Sequence, residues 1–418
     1  MAEFKKRIVI VGGGFGGLSA AQALKNSPYE ITIIDKTNHH LFQPLLYQVA
    51  TAALSPADIA MPIRAIFTAN KNIQVKMDEV WSIDIENKFV EISNSKISFD
   101  YLILALGTRH SYFGKPEWEK IAPGLKTLND ALVIREKILL SLEEAEKLND
   151  KTGIDKYLTF VIVGGGPTGV ELAGAIAEIA KQTMMKDFRN INAEKTKVIL
   201  IEGSSRILSS YPESLSKKAK IDLEKFGVKV ILNQIVQEIG SDYVRIADKI
   251  IKTKNIIWAA GNEAPSLLKS LHTKMDKAGR VLVNQDCSIH NHENIFVIGD
   301  AASFLDKKGN LLPGVAPVAI QQGKYVAKII LEEKKSGMRV PFTYMDKGNL
   351  ATIGKAKAIA EIRGLKFSGL FAWLTWSFVH ILFLIGYRNR VRVMAEWIWK
   401  YITKQHGIRL IVGKAKNN

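Results

Sequence analysis

A signature of strand, glycine-rich turn and helix occurs twice, and it limits the fold more than any other feature. The first copy begins with the β-branched run Arg7–Val11, which is typical of a buried parallel strand. Gly12, Gly14 and Gly17 follow at G-x-G-x-x-G spacing. The first glycine allows a tight turn, the second lets the backbone approach a pyrophosphate, and the third allows close packing of helix on strand. A helix that starts at such a turn favours phosphate, so the pattern predicts a dinucleotide site.

The strands that accompany the first copy carry acids at their ends. Ile31–Ile34 ends in Asp35, 18 residues after Gly17, where a carboxylate can accept hydrogen bonds from ribose hydroxyls. Tyr101–Gly107 is predicted to be a closing strand that ends in glycine. Asn294–Asp300 is predicted to be a strand that ends in an acid and opens a helix.

The second copy lies in the middle of the chain. Its parts are the strand Phe160–Val163, the glycines Gly164, Gly166 and Gly169, a helix from about Val170, the strand Lys197–Ile201 and the closing strand Asn255–Gly261. Glu202 follows Gly169 by 33 residues, later than the usual spacing of about 20, which requires a long helix or an inserted loop. A carboxylate there repels a 2′-phosphate and favours NADH over NADPH, although the nearby Arg206 weakens that preference.

Cysteine content excludes several classes of redox protein. The chain has one cysteine, Cys287, so a disulfide framework, a cysteine zinc cluster, an iron–sulfur centre and a catalytic dithiol within one chain are ruled out. We expect this cysteine to be structural. No histidine or carboxylate spacing suggests a metal site, and none is expected.

Positive charge and apolar sequence coincide at the C-terminus. The net charge is +17, which suits either nucleic acid or an anionic membrane. Residues 361–418 hold ten Lys/Arg against two Glu together with the longest apolar run, Phe367–Tyr387. Its 21 residues could span a bilayer, which takes about 20, or lie on it. We therefore expect a membrane partner and no nucleic acid, with a buried dimer helix as the alternative.

The next segment has the pattern of an amphipathic helix. Its charged side chains fall at intervals of four residues, its apolar ones lie largely elsewhere on the helix, and such helices lie in the membrane interface. The charged positions are Arg392, Glu396, Lys400 and Lys404, and the apolar positions are Met394, Trp397, Ile398, Tyr401 and Ile402.

The two glycine copies together resemble the two-dinucleotide-binding flavoproteins. The segment His39–Ala57, together with GGGPTGVELAG and APVAIQQG, makes the chain similar to the type II NADH:quinone oxidoreductases. The resemblance covers the chain nearly end to end. This resemblance implies an α/β fold with two Rossmann-like dinucleotide-binding domains, the FAD domain being split by an inserted NADH domain, and a C-terminal membrane-anchoring helical region. The predicted segments are 1–110 (FAD, first part), 111–155 (connecting helices), 156–262 (NADH), 263–335 (FAD, second part) and 336–418 (membrane association).

The resemblance also implies a reaction. NADH passes a hydride to FAD, and reduced FAD passes two electrons to a membrane quinone without proton pumping. The expected setting is the cytoplasmic face of a prokaryotic inner membrane, reached through the C-terminal helices of a homodimer. Two rivals are an NADH-binding flavoprotein similar to apoptosis-inducing factor, with a signalling role, and a reductase of a small electron-carrier protein.

Site residues follow from the resemblance position by position. FAD would contact Gly12, Gly13, Gly14, Phe15, Gly16, Gly17, Asp35, Lys36, His40, Ala105, Gly107, Asp300 and Ala316. NADH would contact Gly164, Gly166, Thr168, Gly169, Glu202, Ala260 and Gly261. Further candidates beside the flavin are Phe42, Gln43 and Tyr47.

Two residues are implied to take part in catalysis. Glu171 matches a carboxylate implicated in cofactor placement or proton supply, although an acid in the first turn of a helix also suits the helix dipole. Gln321 ends the family's quinone motif A-Q-x-A-x-Q. The other positions here are Ala316, Pro317 and Ala319, and proline in place of the first glutamine removes a polar contact.

Overall fold

The computed structural model describes residues 6–148, 151–179, 187–192, 195–333, 336–403 and 408–411. By its internal contacts the chain forms two compact units, each built from three sequence segments. The first unit comprises Met1–Leu41, Ala60–Arg109 and Asn262–Asp346, and the second comprises Phe42–Ile59, His110–Gly261 and Lys347–Asn418. The five-segment domain division stays a prediction.

The helices and strands have the following bounds. The helices are α1 (Phe15–Leu24), α2 (Leu46–Ala50), α3 (Pro56–Ile59), α4 (Ile63–Ile66), α5 (Leu128–Lys147), α6 (Lys151–Tyr157), α7 (Pro167–Glu178), α8 (Glu213–Lys225), α9 (Ala316–Glu332), α10 (Leu370–Phe383) and α11 (Tyr387–Thr403). The strands are β1 (Arg7–Val11), β2 (Glu30–Asp35), β3 (His39–Leu41), β4 (Ala60–Pro62), β5 (Ile73–Met77), β6 (Ser82–Asp84), β7 (Phe89–Ile92), β8 (Ser95–Ser98), β9 (Tyr101–Leu104), β10 (Arg109–His110), β11 (Thr159–Val163), β12 (Lys197–Ile201), β13 (Val228–Ile231), β14 (Val236–Gly240), β15 (Tyr243–Ile246), β16 (Lys249–Lys252), β17 (Asn255–Trp258), β18 (Asn262–Glu263), β19 (Val281–Leu282), β20 (Ser288–Ile289), β21 (His292–Val297), β22 (Ala302–Ser303), β23 (Asn349–Gly354), β24 (Lys357–Ile362) and β25 (Leu365–Gly369).

The first unit is built on a six-stranded sheet. Its strand order is β20-β21-β9-β1-β2-β5, and all pairs are parallel except the antiparallel edge strand β20. Ile10 of β1 lies opposite Ile33 of β2 and Ile103 of β9, and all three are fully buried. Such continuous β-branched runs suit strands covered on both faces. The predicted strands Arg7–Val11 and Ile31–Ile34 are thus confirmed.

The second unit has a four-stranded parallel sheet and two antiparallel sheets. The parallel order is β13-β12-β11-β17, and the antiparallel sheets are β14-β15-β16 and β23-β24-β25. Strand β23 packs against α7. The predicted strands Phe160–Val163 and Lys197–Ile201 are confirmed, but helix α7 begins at Pro167 rather than near Val170, because proline fits the first helical turn.

The sequence prediction for Asn294–Asp300 needs one correction. Strand β21 ends at Val297, and Gly299–Ala301 forms a single 3₁₀ turn that leads into the short strand β22. No α-helix opens at Asp300; the next described helix in the chain, α9, starts at Ala316. Asp300 therefore sits on a tight turn rather than at a helix N-terminus.

The apolar C-terminal run is not one helix. Phe367–Gly369 completes strand β25, α10 has only 14 residues, and Gly386, at φ +86°, separates it from α11. Among the helices that the structure describes, none combines the length and the apolar character needed to cross a bilayer. The segment Phe367–Tyr387 therefore does not form the single 21-residue helix on which the bilayer-spanning alternative depended.

The predicted amphipathic helix is confirmed as α11, but part of its charged face is turned toward the protein. Arg392 Nη1 lies 4.0 Å from the buried Asp58, and Lys400 Nζ lies 3.5 Å from the buried Glu178. Met394 is half-exposed on the same helix. Buried carboxylates need a cationic partner, which explains why Lys400 faces inward and why Arg392, although half exposed, lies beside Asp58. Lys404 lies outside the described residues.

Candidate active site

The first glycine turn has the geometry of a phosphate cradle. Gly12 adopts φ +103°, and its N–H donates to the carbonyl of Ile34 at 2.8 Å. A Cβ on Gly17 would overlap the Gly12 carbonyl oxygen, whereas a Cβ on Gly14 would meet no atom within 4 Å. Helix α1 therefore rests directly on the turn, and the space beside Gly14 stays open for a ligand.

The acid at the end of β2 is held in place by the same turn. Asp35 accepts hydrogen bonds from the N–H of Gly13 at 2.6 Å and from the N–H and hydroxyl of Thr37, both at 2.7 Å. The next residue, Lys36, is exposed. The carboxylate is therefore fixed at the mouth of the sheet, where ribose hydroxyls would meet it.

His40 is buried beside this turn in its neutral form. Burial lowers the pKa of His40, and its Nδ1 lies 2.9 Å from the carbonyl oxygen of Gly13. A carbonyl only accepts, so Nδ1 carries the proton and Nε2 is an acceptor. Nε2 has no partner among the described residues, and the ring of Phe15 meets the imidazole edge to face at 5.1 Å.

Asp300 lies in a small cavity with a second unsatisfied group. The Thr108 hydroxyl donates to Asp300 at 3.4 Å, and the Oε1 of Gln322 accepts the N–H of Gly299 at 2.7 Å. The buried Nε2 of Gln322 has no partner within the described part of the chain. An open glycine turn, fixed carboxylates and two orphaned buried polar atoms fit a flavin dinucleotide, because such a ligand supplies donors and acceptors to each of them.

The remaining first-unit candidates lie at strand and helix ends. Ala105 and Gly107 directly follow β9, and Ala316, Pro317 and Ala319 form the first turn of α9. Gln321, one turn further on, donates from Nε2 to the carbonyl of Met345 and accepts the Met345 N–H, both at 2.9 Å. Its amide is thus paired with backbone.

The second glycine turn repeats the first almost atom for atom. Gly164 adopts φ +109°, a Cβ on Gly169 would overlap the Gly164 carbonyl oxygen, and Gly166 is open. Glu202 accepts the N–H of Gly165 at 2.5 Å and that of Ser204 at 2.8 Å. Thr168 is the second residue of α7, and Ala260 and Gly261 follow β17. The turn therefore suits a second dinucleotide.

Arg206 is engaged by its own loop. Its guanidinium donates to the carbonyls of Tyr211 at 2.8 Å and Ser209 at 2.7 Å. The arginine that weakened the sequence-based preference for NADH is therefore tied to backbone. Glu202 remains as the charged group at the strand end.

Glu171 lines a cavity of about 60 Å³ within the second unit. The cavity walls come from α2, α7, β23, α10 and α11. Burial raises the pKa of Glu171 to about 8, although the backbone N–H of Thr352 donates to it and opposes that rise. Glu171 is therefore protonated at neutral pH and can hold or release a proton there.

Sequence reasoning missed most of this cavity. Its other walls include Gln48, Thr352, Trp376, Trp397 and Lys400. These residues are far apart along the chain and share no motif, so no spacing could have grouped them. Of the three aromatic or amide candidates predicted near His40, only Tyr47 lines the cavity; Phe42 packs on His380, and Gln43 donates to the carbonyl of Lys126.

Comparison with known proteins places the chain in a family. A family model of pyridine nucleotide-disulphide oxidoreductases matches residues 6–323, and a model of the NDH2 C-terminal domain matches residues 347–406. The type II NADH:quinone oxidoreductases NdhA and Ndh of Mycobacterium tuberculosis are 40% and 38% identical, over 96% of this chain and 88% and 89% of theirs. The chain belongs to the type II NADH:quinone oxidoreductases.

Solved structures agree on the fold. NDH2 from Plasmodium falciparum in complex with NADH superposes with a TM-score of 0.88 at 21% identity, over 96% of this chain and 99% of that chain. For a type II NADH:quinone oxidoreductase the two cofactors are FAD and NADH, in agreement with the two glycine turns. Neither a signalling flavoprotein nor a carrier-protein reductase is favoured by these matches.

Proposed function

We infer that this protein oxidises NADH and delivers the electrons to a quinone. The carrying observation is the pair of matching dinucleotide turns in a chain whose single cysteine, Cys287, is fully buried. Burial raises the pKa of its thiol well above the usual value, so no reactive thiolate forms. Electrons must therefore leave to an external acceptor. When bound, FAD supplies the chemistry that accepts a hydride and returns two electrons.

Turnover of the detergent-extracted protein tests this function. NADH oxidation is followed at constant oxygen with and without a short-chain quinone. We expect strong stimulation by quinone. Bound flavin that NADH reduces but quinone does not reoxidise would reject the proposal.

Each dinucleotide is assigned to one turn. Asp35, with its three hydrogen bonds, suits the ribose of FAD, and Glu202 suits the ribose of NADH. Since Arg206 is occupied by carbonyls, we propose that Glu202 disfavours a 2′-phosphate and that NADH is used in preference to NADPH.

For the quinone we propose contact with the first turns of α9. Ala316 and Ala319 are small enough to let a flat ring approach, and Pro317 offers no N–H. The amide of Gln321 uses one N–H and one lone pair for its two hydrogen bonds with the Met345 backbone. Its second N–H and second lone pair would bind the quinone. The pairing with Met345 fixes the direction of the amide in advance.

We propose that Glu171 supplies a proton during quinone reduction. With a pKa near 8 it holds the proton at pH 7 and loses it as the pH rises further. For the wild type, kcat should therefore fall above about pH 8. Glu171→Gln should lower kcat at pH 7 by about 100-fold, the lower end of what a general acid contributes, and should remove that alkaline limb.

The profile of kcat between pH 6 and 10 measures this effect. Glu178→Gln is the matched control, because Glu178 lines the same cavity but is paired with Lys400. A Glu171→Gln enzyme that keeps the wild-type alkaline limb would exclude Glu171 as its source.

We further propose that α10 and α11 rest on a lipid bilayer. Leu370, Leu374, Phe378 and Leu382 recur every four residues along α10 and are each at least half exposed, so they form one apolar stripe. The exposed Arg388 and Tyr387 begin α11. Apolar, aromatic and basic side chains together suit the interface of an anionic membrane. For a bacterial chain that interface is the cytoplasmic face of the inner membrane, where NADH is made.

Charged substitutions in the stripe should release the protein from membranes. Leu374→Glu combined with Phe378→Glu should lower binding to phosphatidylglycerol vesicles by at least tenfold, because two buried apolar side chains contribute about 1.5–3 kcal/mol each. Ile250→Glu, at a half-exposed site on β16, is the control. Vesicle co-sedimentation reports the effect.

The same variants separate lipid from a second copy of the chain. If the stripe is instead the homodimer interface, the double variant becomes monomeric in detergent and still binds vesicles. That result would contradict the lipid proposal and support the dimer.

A further inference from the structure

Three side chains form a directed line of hydrogen bonds that ends at the Glu171 cavity. The indole N–H of Trp397, on α11, donates to Oε1 of Gln48 at 2.8 Å. Nε2 of Gln48 then donates to the hydroxyl oxygen of Tyr47 at 2.8 Å. Gln48 and Tyr47 are both buried.

The chemistry of the indole fixes every direction in this line. Indole nitrogen can only donate, so the oxygen of Gln48 must face Trp397 and the amide nitrogen must face Tyr47. The oxygen of Tyr47 is thereby an acceptor from Gln48. Its own proton points away from Gln48, and the phenol lines the cavity that Glu171 also lines.

Tyr47 stays protonated at every physiological pH. Burial first, and the neighbouring charge of Glu171 second, raise its pKa well above the usual value. Thr352 connects the two residues, because its side chain hydrogen-bonds to Tyr47 and its backbone N–H donates to Glu171. The Tyr47 hydroxyl therefore stays protonated in the cavity that Glu171 lines, and Thr352 links it to the carboxyl group.

Two of the other ionisable groups around Glu171 have partners. Glu178 of α7 is paired with Lys400 of α11, and Lys355 donates to the carbonyl of Tyr401. Tyr211, before α8, feels the charge of Glu171 and is itself buried. Tyr47 is the neutral donor that the hydrogen-bonded line aims at the cavity.

We propose that Tyr47 and Gln48, oriented by Trp397, are positioning residues that act through Glu171 by stabilising its carboxylate once its proton has left. The proposal rests on the proposed role of Glu171. In that step the O–H bond of the Glu171 carboxyl breaks, and its proton forms one of the two O–H bonds of the quinol. The electron pair comes from NADH, and solvent supplies the second quinol proton and protonates Glu171 again.

Removing the donor should make Glu171 a weaker acid. A hydrogen bond to the charged form of a carboxyl favours that form, so Tyr47→Phe should move the alkaline limb of kcat upward by about one pH unit. It should also lower kcat at pH 7 about three- to tenfold and leave the KM for NADH unchanged. Tyr112→Phe is the control, because that hydroxyl donates only to the carbonyl of Ala122.

Trp397→Phe tests the line at its far end. It removes the indole N–H together with part of the ring that packs on Trp376, so the Gln48 amide is free to turn and its donation to Tyr47 weakens; the pH of the limb, rather than the size of kcat, separates the lost hydrogen bond from the lost packing. We expect a shift of the limb in the same direction as for Tyr47→Phe, and smaller. Trp399→Phe, on the same helix and more than half exposed, should leave the limb where it is.

The profiles of the four variants and of Glu171→Gln decide the matter together. Tyr47→Phe and Trp397→Phe that lower kcat while the limb stays at its wild-type pH would show a merely structural role and overturn the proposal. If Glu171→Gln retains the limb, the proposed role of Glu171 fails first. If Glu171→Gln loses the alkaline limb while Tyr47→Phe keeps it at the wild-type pH, the role of Glu171 stands and only the proposed role of Tyr47, Gln48 and Trp397 fails.

Discussion

Gly169→Ala is expected to abolish reduction by NADH while the purified protein stays yellow with bound flavin. A methyl group at this position would overlap the carbonyl oxygen of Gly164, which is backbone and cannot swing aside. Helix α7 would have to move off the turn whose N–H groups would face the pyrophosphate of a bound dinucleotide. We expect the KM for NADH to rise at least 100-fold.

Flavin absorbance after NADH addition measures the effect directly. Gly17→Ala, the same change in the first turn, should instead cost the bound FAD, since its methyl group would overlap the Gly12 carbonyl oxygen. Gly166→Ala separates folding from binding, because its Cβ meets no protein atom. It should keep the wild-type melting temperature and still weaken NADH binding. A Gly169→Ala enzyme with normal KM would mean that this turn does not hold the dinucleotide.

Arg339→Ala is expected to destabilise the first unit by about 3–5 kcal/mol, the cost of stranding one member of a buried ion pair. Arg339 Nη1 lies 2.8 Å from Asp286, and both side chains are almost entirely buried. The guanidinium also donates to the carbonyl of Glu293 and lies over the ring of Phe296. Its loss would leave a carboxylate without its cation in the interior.

Thermal unfolding as a function of pH tests that pair. Burial alone would raise the pKa of Asp286, but hydrogen bonds from Ser288 and Arg339 lower it below its usual value. A carboxyl with a lowered folded-state pKa stabilises the fold above about pH 4 and loses that contribution as the pH falls further. Arg339→Ala should lower the melting temperature by about 10 °C at pH 7 and by less in acid. Lys96→Ala, in an exposed pair with Glu91, should change it by under 2 °C.

Local patterns were enough to predict the sheets and the glycine turns. Strands that are covered on both faces are largely apolar, so a run such as Arg7–Val11 predicts a buried strand. Gly17 and Gly169 could also be predicted, because only glycine at these positions lets the helix pack closely on the turn. Asp35 and Glu202 were placed correctly at the ends of their strands.

The cavity and the tail could not be predicted in this way. Trp397 and Gln48 are 349 positions apart, and no periodicity links them. The sequence of Phe367–Tyr387 is one continuous apolar segment. In the structure its first three residues belong to strand β25, and Gly386 separates helix α10 from Tyr387. Lys400 faces inward because of Glu178, and the half-exposed Arg392 lies beside Asp58. Only the folded chain reveals that these two acids are buried. The motif residue Gln321 was found, but not its backbone partner.

Helix α11 makes it difficult to obtain a water-soluble form of this enzyme by truncation. The helix proposed to lie on lipid also supplies Trp397 and Lys400 to the wall of the Glu171 cavity. A deletion after Asp346 would remove the proposed membrane-binding surface, but it would also remove residues that form the wall of the cavity. Solubility has to be engineered side chain by side chain, on the outward stripe of α10, while the inward residues of α11 are left alone.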